Sequence, residues 1–137
     1  MENYFHMHMD ARQVGAISNL GLAHIGAGVF ELLPRSWLCG HERLPVGRMH
    51  KDTISLVQAK AQAKFADKLL PLLSEEEKAF YRRGKNSHVH AVPKSCTPAE
   101  YAKATGLAAL FGALCLLGRT DRINEIFGTV MEELYGI

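Results

Sequence analysis

A basic segment at residues 81 to 94, YRRGKNSHVHAVPK, contains the side chains of this sequence best suited to bind another molecule. It carries four cations and no acidic residue: Arg82, Arg83, Lys85 and Lys94. His88 and His90 add positive charge at lower pH. Guanidinium and ammonium groups on a helix end and the loop after it match phosphate oxygens, so the segment indicates contacts with a nucleic-acid backbone. A solvated basic surface without a partner is the alternative.

Further polar side chains in and near this segment can hydrogen-bond to sugar or phosphate: Asn86, Ser87, Tyr81 and Tyr101. The histidine pairs at 6 and 8 and at 88 and 90 have a spacing that can bind a metal, but the sequence fixes no further ligand. The glycines of GLAHIGAGVFE, residues 21 to 31, lie within a helical pattern and not after a strand. A histidine metal site and a dinucleotide site are therefore not predicted.

Helical periodicity predicts the elements that must position these residues, and no strand pattern is found. The apolar residues of the first long helix, over 18–39, recur at steps of three and four, with a kink or early end expected at Pro34: Leu22, Ile25, Val29, Leu32 and Ser36. A second long helix should begin near Asp52 or Ser55.

Two capping boxes, Ser74 with Glu77 and Thr97 with Glu100, mark the starts of the next two helices. The second of these should end at Gly118, and a last helix should turn Ile123, Ile126, Phe127, Val130 and Leu134 inward. The predicted fold class is all-α.

The composition is that of a globular chain, with 47% hydrophobic and 22% charged residues among 137. This length predicts one domain, 1–137, in which residues 1–14 form a loosely ordered arm. The formal net charge of +2 is too small to imply nucleic acid by itself. Cys39, Cys96 and Cys115 have no CxxC spacing and are expected to be buried, reduced thiols. With no long apolar run and no secretion signal, we expect no membrane association and a cytoplasmic location.

Together, five segments resemble the Mini-ribonuclease III family, compact bacterial relatives of ribonuclease III without a separate double-stranded-RNA-binding domain. They are LAHIGAGVFELLPR, MHK with VQAKAQAK, SEEEKAFYRRGKN, PK at 93–94, and YAKATGLAALFGALCLLG. They occur in the family's order and spacing, and the resemblance runs from about Ala16 to Phe127.

The resemblance implies a homodimeric, ribonuclease III-type helical bundle with two active sites facing a duplex RNA. It implies an endoribonuclease that hydrolyses phosphodiesters with Mg²⁺, typically in the maturation of precursor 23S ribosomal RNA. Its RNA-binding residues would be Arg82, Arg83, Lys85, Asn86, Lys94, His50 and Lys51.

The sequence departs from the family where the catalytic acids are expected. The aspartate of the family's IGDAVYE falls on Ala27, and the glutamate of its ATGFEAL falls on Ala108. Methyl groups cannot bind Mg²⁺, which requires oxygen ligands. Glu31, one helical turn after Ala27, is a possible residual carboxylate, but one carboxylate does not make an octahedral site. We therefore expect a chain that binds RNA without cutting it and without Mg²⁺.

Two origins of the alanines remain open. Deliberate inactivation of an enzyme would replace the two acids and leave the other motifs intact, and this interpretation is favoured. A natural pseudoenzyme that kept RNA binding would show the same alanines, and Gly28 and Pro34 are departures nobody would engineer. From a different class, the alternative is a structural or regulatory protein, such as a ribosome-associated binder or the partner of an active subunit.

Overall fold

The structure, a computed structural model, describes residues 1–41, 46–87 and 92–136, and for residues 46–50 it describes only the backbone. These described ranges contain seven α-helices. They are α1 (Ala11–Gly15), α2 (Asn19–His41), α3 (Val46–Val57), α4 (Ala59–Leu69), α5 (Glu75–Lys85), α6 (Pro98–Leu116) and α7 (Thr120–Tyr135). A 3₁₀ turn, Leu70–Leu72, follows α4. The predicted all-α class is confirmed. No helix in the described ranges is long and apolar enough to cross a bilayer.

Helix α6 lies at the centre of the bundle and packs against α2, α4, α5 and α7. Four of its large side chains, Leu107, Leu110, Phe111 and Leu114, are fully buried. Aromatic rings from α2, α4 and α7 pack together with Phe111 of α6, and Phe30 lies edge-on to Phe65 at a centroid distance of 5.0 Å. Burial of these large apolar side chains is the main favourable contribution to folding.

Small residues let α2 cross α6 at backbone contact distance. A Cβ atom on Gly26 would lie 1.5 Å from the backbone oxygen of Ala108, and one on Gly112 would lie 2.0 Å from that of Leu22. Only glycine fits at such a crossing, because any side chain would overlap the neighbouring backbone. This close approach at Ala108 and Gly112 brings Ala27 and Ala108 to the same region.

The inward face predicted for α2 is only partly correct, because Leu22 is buried and Val29 packs against the core, but the other three residues are exposed. The buried residues are Leu22, Gly26, Phe30, Pro34 and Leu38, whereas Ile25 and Leu32 are 38% and 54% exposed. The glycine crossing explains the difference, since a helix that must present Gly26 to α6 cannot also present Ile25 to the core. The early end expected at Pro34 is also wrong, because α2 continues to His41.

The helix expected to begin near Asp52 or Ser55 is in fact two helices. The first begins at Val46 and ends at Val57, and Gln58 is extended, with φ −62° and ψ 147°, before α4 starts. The side chain of Gln62 donates a hydrogen bond to the carbonyl oxygen of Val57 at 2.6 Å. This bond satisfies a carbonyl group that the break leaves without a helical partner.

Both predicted capping boxes are confirmed, as are Pro98 in the first turn of α6 and the inward face of α7. Gly118 ends α6 with φ +76°, a conformation that favours glycine. The cysteines are thiols, but Cys39 is exposed and the other two are partly exposed, so their predicted burial is wrong. Burial of part of the Cys115 side chain raises the pKa of its thiol.

The N-terminal arm, expected to be loosely ordered over residues 1–14, packs against the bundle from Met7 onwards. The amide of Met9 donates to the carbonyl oxygen of Leu116 at 2.8 Å, Asp10 caps α1 in a capping box, and Val14 is fully buried. Tyr4 and Phe5 remain about four-fifths exposed, at 80% and 82%. Only the first six residues therefore resemble the expected arm.

An ion pair between Glu77 and Arg122 fixes the start of α5 to α7. The Arg122 guanidinium donates to both Glu77 oxygens, at 2.8 and 2.9 Å, and also to the carbonyl oxygen of Leu72 at 2.7 Å. The Glu77 side chain is 4% exposed. Hydrogen bonds from Arg122 lower the pKa of Glu77, with further lowering from Ser74, despite its burial.

We expect Arg122→Ala to lower the free energy of unfolding by about 3 kcal/mol at neutral pH, because it leaves a buried carboxylate unpaired. The contribution of the pair is present above the ordinary pKa of 4.5 and disappears as the pH falls through the lowered pKa of Glu77. Urea unfolding across this pH range measures it, and the variant should approach the native chain in acid. Arg119→Ala is the control, since its pair with Glu76 is exposed and should contribute under about 1 kcal/mol. Equal losses for the two variants would contradict the prediction.

Candidate functional site

A cleft of about 390 Å³ lies where α2 and α6 meet the junction of α3 and α4. Residues from all four helices line it: Leu20, Ala23, His24, Ala27, Val57, Ala59, Gln62, Tyr101, Ala104, Thr105 and Ala108. The two positions singled out in the sequence, Ala27 and Ala108, thus belong to one concave surface although they are far apart in the chain. Their arrangement follows from the glycine crossing, which holds the two helices in contact one residue away from Ala27.

The polar groups of the cleft are hydrogen-bonding groups without formal charge, apart from the titratable imidazole of His24. Two are already bound to backbone, because Thr105 donates to the carbonyl oxygen of Tyr101 at 2.9 Å and Gln62 donates to that of Val57. His24 is exposed and Tyr101 partly exposed. The cleft can therefore offer hydrogen bonds to a polar ligand, but it supplies no nucleophile activated by a base.

The side chains of this cleft do not fit a magnesium ion. None of the described residues that line it is a carboxylate, and Mg²⁺ in proteins is held by carboxylates and water at near-ideal octahedral geometry. In the described ranges no group of three or more His, Cys, Asp or Glu side chains could hold a metal. Ala27 and Ala108, the positions at which the resemblance predicts the family's two acids, contribute only methyl side chains to the cleft.

Glu31, considered as a residual carboxylate, is not among the residues that line the cleft. Its carboxylate lies 3.6 Å from the guanidinium of Arg35, one turn further along α2, and both side chains are more than half exposed. A partner outside the cleft engages this carboxylate, and the role of Glu31 as a residual carboxylate remains a prediction.

The end of α5 places exposed cations beside the cleft. Arg82, Lys85 and Asn86 are exposed at the last turn of α5, and Lys94 is exposed before α6. Gly84 packs on the backbone of Thr105, a cleft residue, because its missing side chain allows an approach that a Cβ atom at 2.5 Å would prevent. The basic end of α5 and the α6 wall of the cleft are therefore neighbours.

Arg83 differs from its basic neighbours because its guanidinium is already engaged within the chain. It donates to the side-chain oxygen of Asn19 and to the carbonyl oxygen of Ile17, both at 2.6 Å. These bonds tie the end of α5 to the start of α2, next to Leu20 of the cleft. Arg83 has a structural role in this arrangement, and its predicted contact with RNA remains a prediction.

The other residues singled out in the sequence have different outcomes. Tyr81 is 3% exposed and its hydroxyl has no hydrogen-bond partner within the described part of the chain, so it cannot reach RNA. Desolvation, with a smaller effect from Asp67, raises the pKa of Tyr81 to about 12. Tyr101 lines the cleft, and Lys51 is exposed on α3. The side chains of His50, His88 and His90 lie outside the described residues.

Three residues that line the cleft were not expected from the sequence: His24, Thr105 and Gln62. A signal for the first two was present, because each precedes a vacant position, Ala27 or Ala108, by three residues and so shares its helix face. The sequence contained no such signal for Gln62, because the position of its side chain in the cleft depends on the break between α3 and α4 at Gln58. The ties made by Arg83 and Arg122 also depend on distant partners, which no local pattern reveals.

Comparison with known proteins agrees with this architecture. The family model described as "Ribonuclease III domain" matches residues 20–119. The fold and the cleft thus define a ribonuclease III domain.

The Mini-ribonuclease 3 of Symbiobacterium thermophilum is 40% identical over 107 residues, covering 78% of this chain and 82% of that protein. A Mini-ribonuclease 3-like protein of Ilyobacter polytropus is 35% identical over 127 residues, covering 93% and 97%. A crystal structure of a Fusobacterium nucleatum protein has a TM-score of 0.79 at 31% identity and covers 88% of this chain and 97% of that one. The chain belongs to the Mini-ribonuclease 3 family of ribonuclease III domains.

Proposed function

We propose that this protein binds double-stranded or structured RNA but does not hydrolyse it. One observation carries the proposal: among the described residues, the cleft that holds Ala27 and Ala108 is lined by no carboxylate, while exposed cations lie beside it at the end of α5. The family acts on RNA with the help of Mg²⁺, and this cleft lacks the ligands for that ion. Binding and catalysis are thus separated in this chain.

Charge supports the binding half of the proposal. Three lysines with acidic partners, Lys68, Lys78 and Lys103, are neutralised within the chain at 3.4, 3.5 and 2.8 Å. Within the described residues no ion pair engages Lys85, Lys94 or Arg82. Cations without acidic neighbours retain their attraction for phosphate, and releasing the counterions of the RNA backbone favours their binding.

The proposed RNA is a precursor of ribosomal RNA, by analogy with the family, and the proposed location is the cytoplasm. The two possible origins of the alanines, deliberate inactivation of an enzyme and a natural pseudoenzyme, predict the same properties for the chain. A protein that only pairs with an active subunit is the second candidate, and it would need none of the exposed cations.

The proposed assembly is a homodimer formed through the apolar face of α2. Ile25, Val29 and Leu32, which the periodicity placed in the core, instead border an apolar groove of about 320 Å³ together with Phe5 of the arm. An apolar stripe left at the surface of a bundle is typical of a protein interface. Light scattering should give twice the chain mass of 15.2 kDa, and a monomeric mass would contradict the dimer.

Replacing Arg82 and Lys85 by alanine should weaken binding to duplex RNA of any sequence and reduce the salt dependence of the affinity. The slope of log K against log salt should fall by about 1 for each phosphate contact removed. A filter-binding or gel-shift titration over a range of salt concentrations measures this.

Lys78→Ala is the matched control for this double variant, because Lys78 lies on the same helix but pairs with Glu75. It should leave both affinity and slope nearly unchanged. If the native chain binds RNA and the Arg82 and Lys85 double variant binds it equally well, the assignment of these residues is contradicted. No salt-dependent RNA binding at all would favour the protein-binding candidate.

A further inference from the structure

A second basic site lies on the other side of the break between α3 and α4. A cavity of about 360 Å³ is lined by Ser55, Gln58, Lys60, Ala61, Lys64 and Tyr135. Lys60 and Lys64 are one helical turn apart on α4, so their ammonium groups lie on the same face of the helix. None of these six residues is acidic. The cavity shares no residue with the cleft, which α4 lines with Ala59 and Gln62 instead.

The lysines of α4 fall into two groups. Lys68 pairs with Glu133 at 3.4 Å, so an acid within the chain balances its charge. Lys60 and Lys64 have no ion-pair partner among residues 1–41, 46–87 and 92–136, and both are exposed. A solvated lysine face would have this charge as well, but here the two ammonium groups border a concave surface with hydroxyl and amide groups.

The chemistry of this cavity is that of a phosphate-binding site. Two ammonium groups supply charge, while Ser55, Gln58 and Tyr135 offer hydrogen bonds to oxygen atoms. Ser55 donates to the carbonyl oxygen of Asp52 at 2.7 Å, so the hydrogen bonds available to a ligand come chiefly from Gln58 and Tyr135. The flexible ammonium groups of Lys60 and Lys64 suit a phosphodiester backbone rather than a base edge, because reading a base edge needs fixed bidentate geometry.

We propose that Lys60 and Lys64, with Gln58 and Tyr135, form a second contact site for the phosphodiester backbone of the RNA, distinct from the cleft and from the end of α5. This inference rests on the proposed function, because it names a further part of the surface that binds RNA. It assigns no base specificity to the site, and the contribution of the two lysines should depend on salt.

The test uses a double variant that carries both Lys60→Ala and Lys64→Ala. Its affinity for a long RNA duplex is compared with that of the native protein. Affinity at about 0.1 M salt should fall roughly tenfold, and the salt slope should fall by about 2. Lys68→Ala is the control on the same helix and should change neither quantity, because its charge is already paired. In NMR spectra of the native chain, the backbone amide signals of residues 58–64 should shift when RNA is added.

Each outcome decides between specific alternatives. Suppose that the native chain binds RNA and that replacing Arg82 and Lys85 weakens this binding. If the α4 double variant then binds RNA with native affinity, this inference is overturned and the proposed function stands. If the native chain binds no RNA, both are overturned. If inorganic phosphate alone shifts the 58–64 amides and the double variant retains full RNA affinity, the cavity serves a free phosphorylated ligand, and its assignment to RNA is wrong.

Discussion

Ala27→Asp combined with Ala108→Glu is expected to produce Mg²⁺-dependent cleavage of duplex RNA, whereas the native chain is expected to leave the same duplex intact. Both positions line the same cleft, and Ala27 is exposed while Ala108 is 8% exposed, so each new carboxylate can face the cleft. A metal ion contributes several kcal/mol of charge stabilisation to phosphodiester hydrolysis. The gain in rate should therefore be at least about a thousandfold.

Cleavage of a precursor ribosomal RNA duplex with and without Mg²⁺ measures this gain. The matched control carries Ser36→Asp and Ala99→Glu, which add the same acids to exposed positions of α2 and α6 that do not line the cleft. It should bind RNA less well through its added negative charge and should not cut.

Two other results would change the interpretation. Cleavage by the native chain would show that other groups hold the metal and that the vacant positions do not determine activity. If native chain and double variant both bind RNA but neither cuts it, the rest of the site has also departed from a competent nuclease.

Gly26→Ala is expected to destabilise the fold by at least about 3 kcal/mol, although it adds a single methyl group. That methyl carbon would lie 1.5 Å from the backbone oxygen of Ala108 and 2.9 Å from the amide nitrogen of Gly112. Backbone atoms of a central helix cannot turn aside as a side chain can, so α2 and α6 would have to separate. For a chain of this size, the melting temperature should fall by about 10 °C.

Gly28→Ala is a control two residues along the same helix. A Cβ atom there has nothing within 4 Å, so the variant should keep its fold and gain up to about 1 kcal/mol from the better helix propensity of alanine. Circular dichroism during thermal and urea unfolding measures both variants. Similar stabilities for Gly26→Ala and Gly28→Ala would show that the helix crossing is not as close as described.

Local patterns predicted much of this architecture. Capping boxes place a side-chain acceptor three residues from the amide it satisfies, so Ser74 and Thr97 marked the starts of α5 and α6 correctly. The buried face of α7 followed from its apolar spacing alone. Within the candidate site, the family motifs singled out Ala27 and Ala108, which prove to line one cleft.

Features that depend on other helices could not be predicted in this way. The periodicity of α2 fits an apolar stripe through Ile25 as well as one through Phe30, and the contact of Gly26 with α6 decides between them. Arg83 looked like its exposed neighbours because its partner, Asn19, is distant in sequence. The extended conformation of Gln58 has no proline or glycine to indicate it, so the α3–α4 junction that completes the cleft was missed.

Helix α5 is held at both ends, by Arg122 near its first turn and by Arg83 near its last. A surface that is already fixed loses little conformational entropy when a ligand binds to it, whereas a mobile basic tail loses much. The exposed cations at the end of α5 are therefore preorganised. In the proposed complex, their attraction for a duplex would not be offset by the entropy of first ordering the helix that carries them.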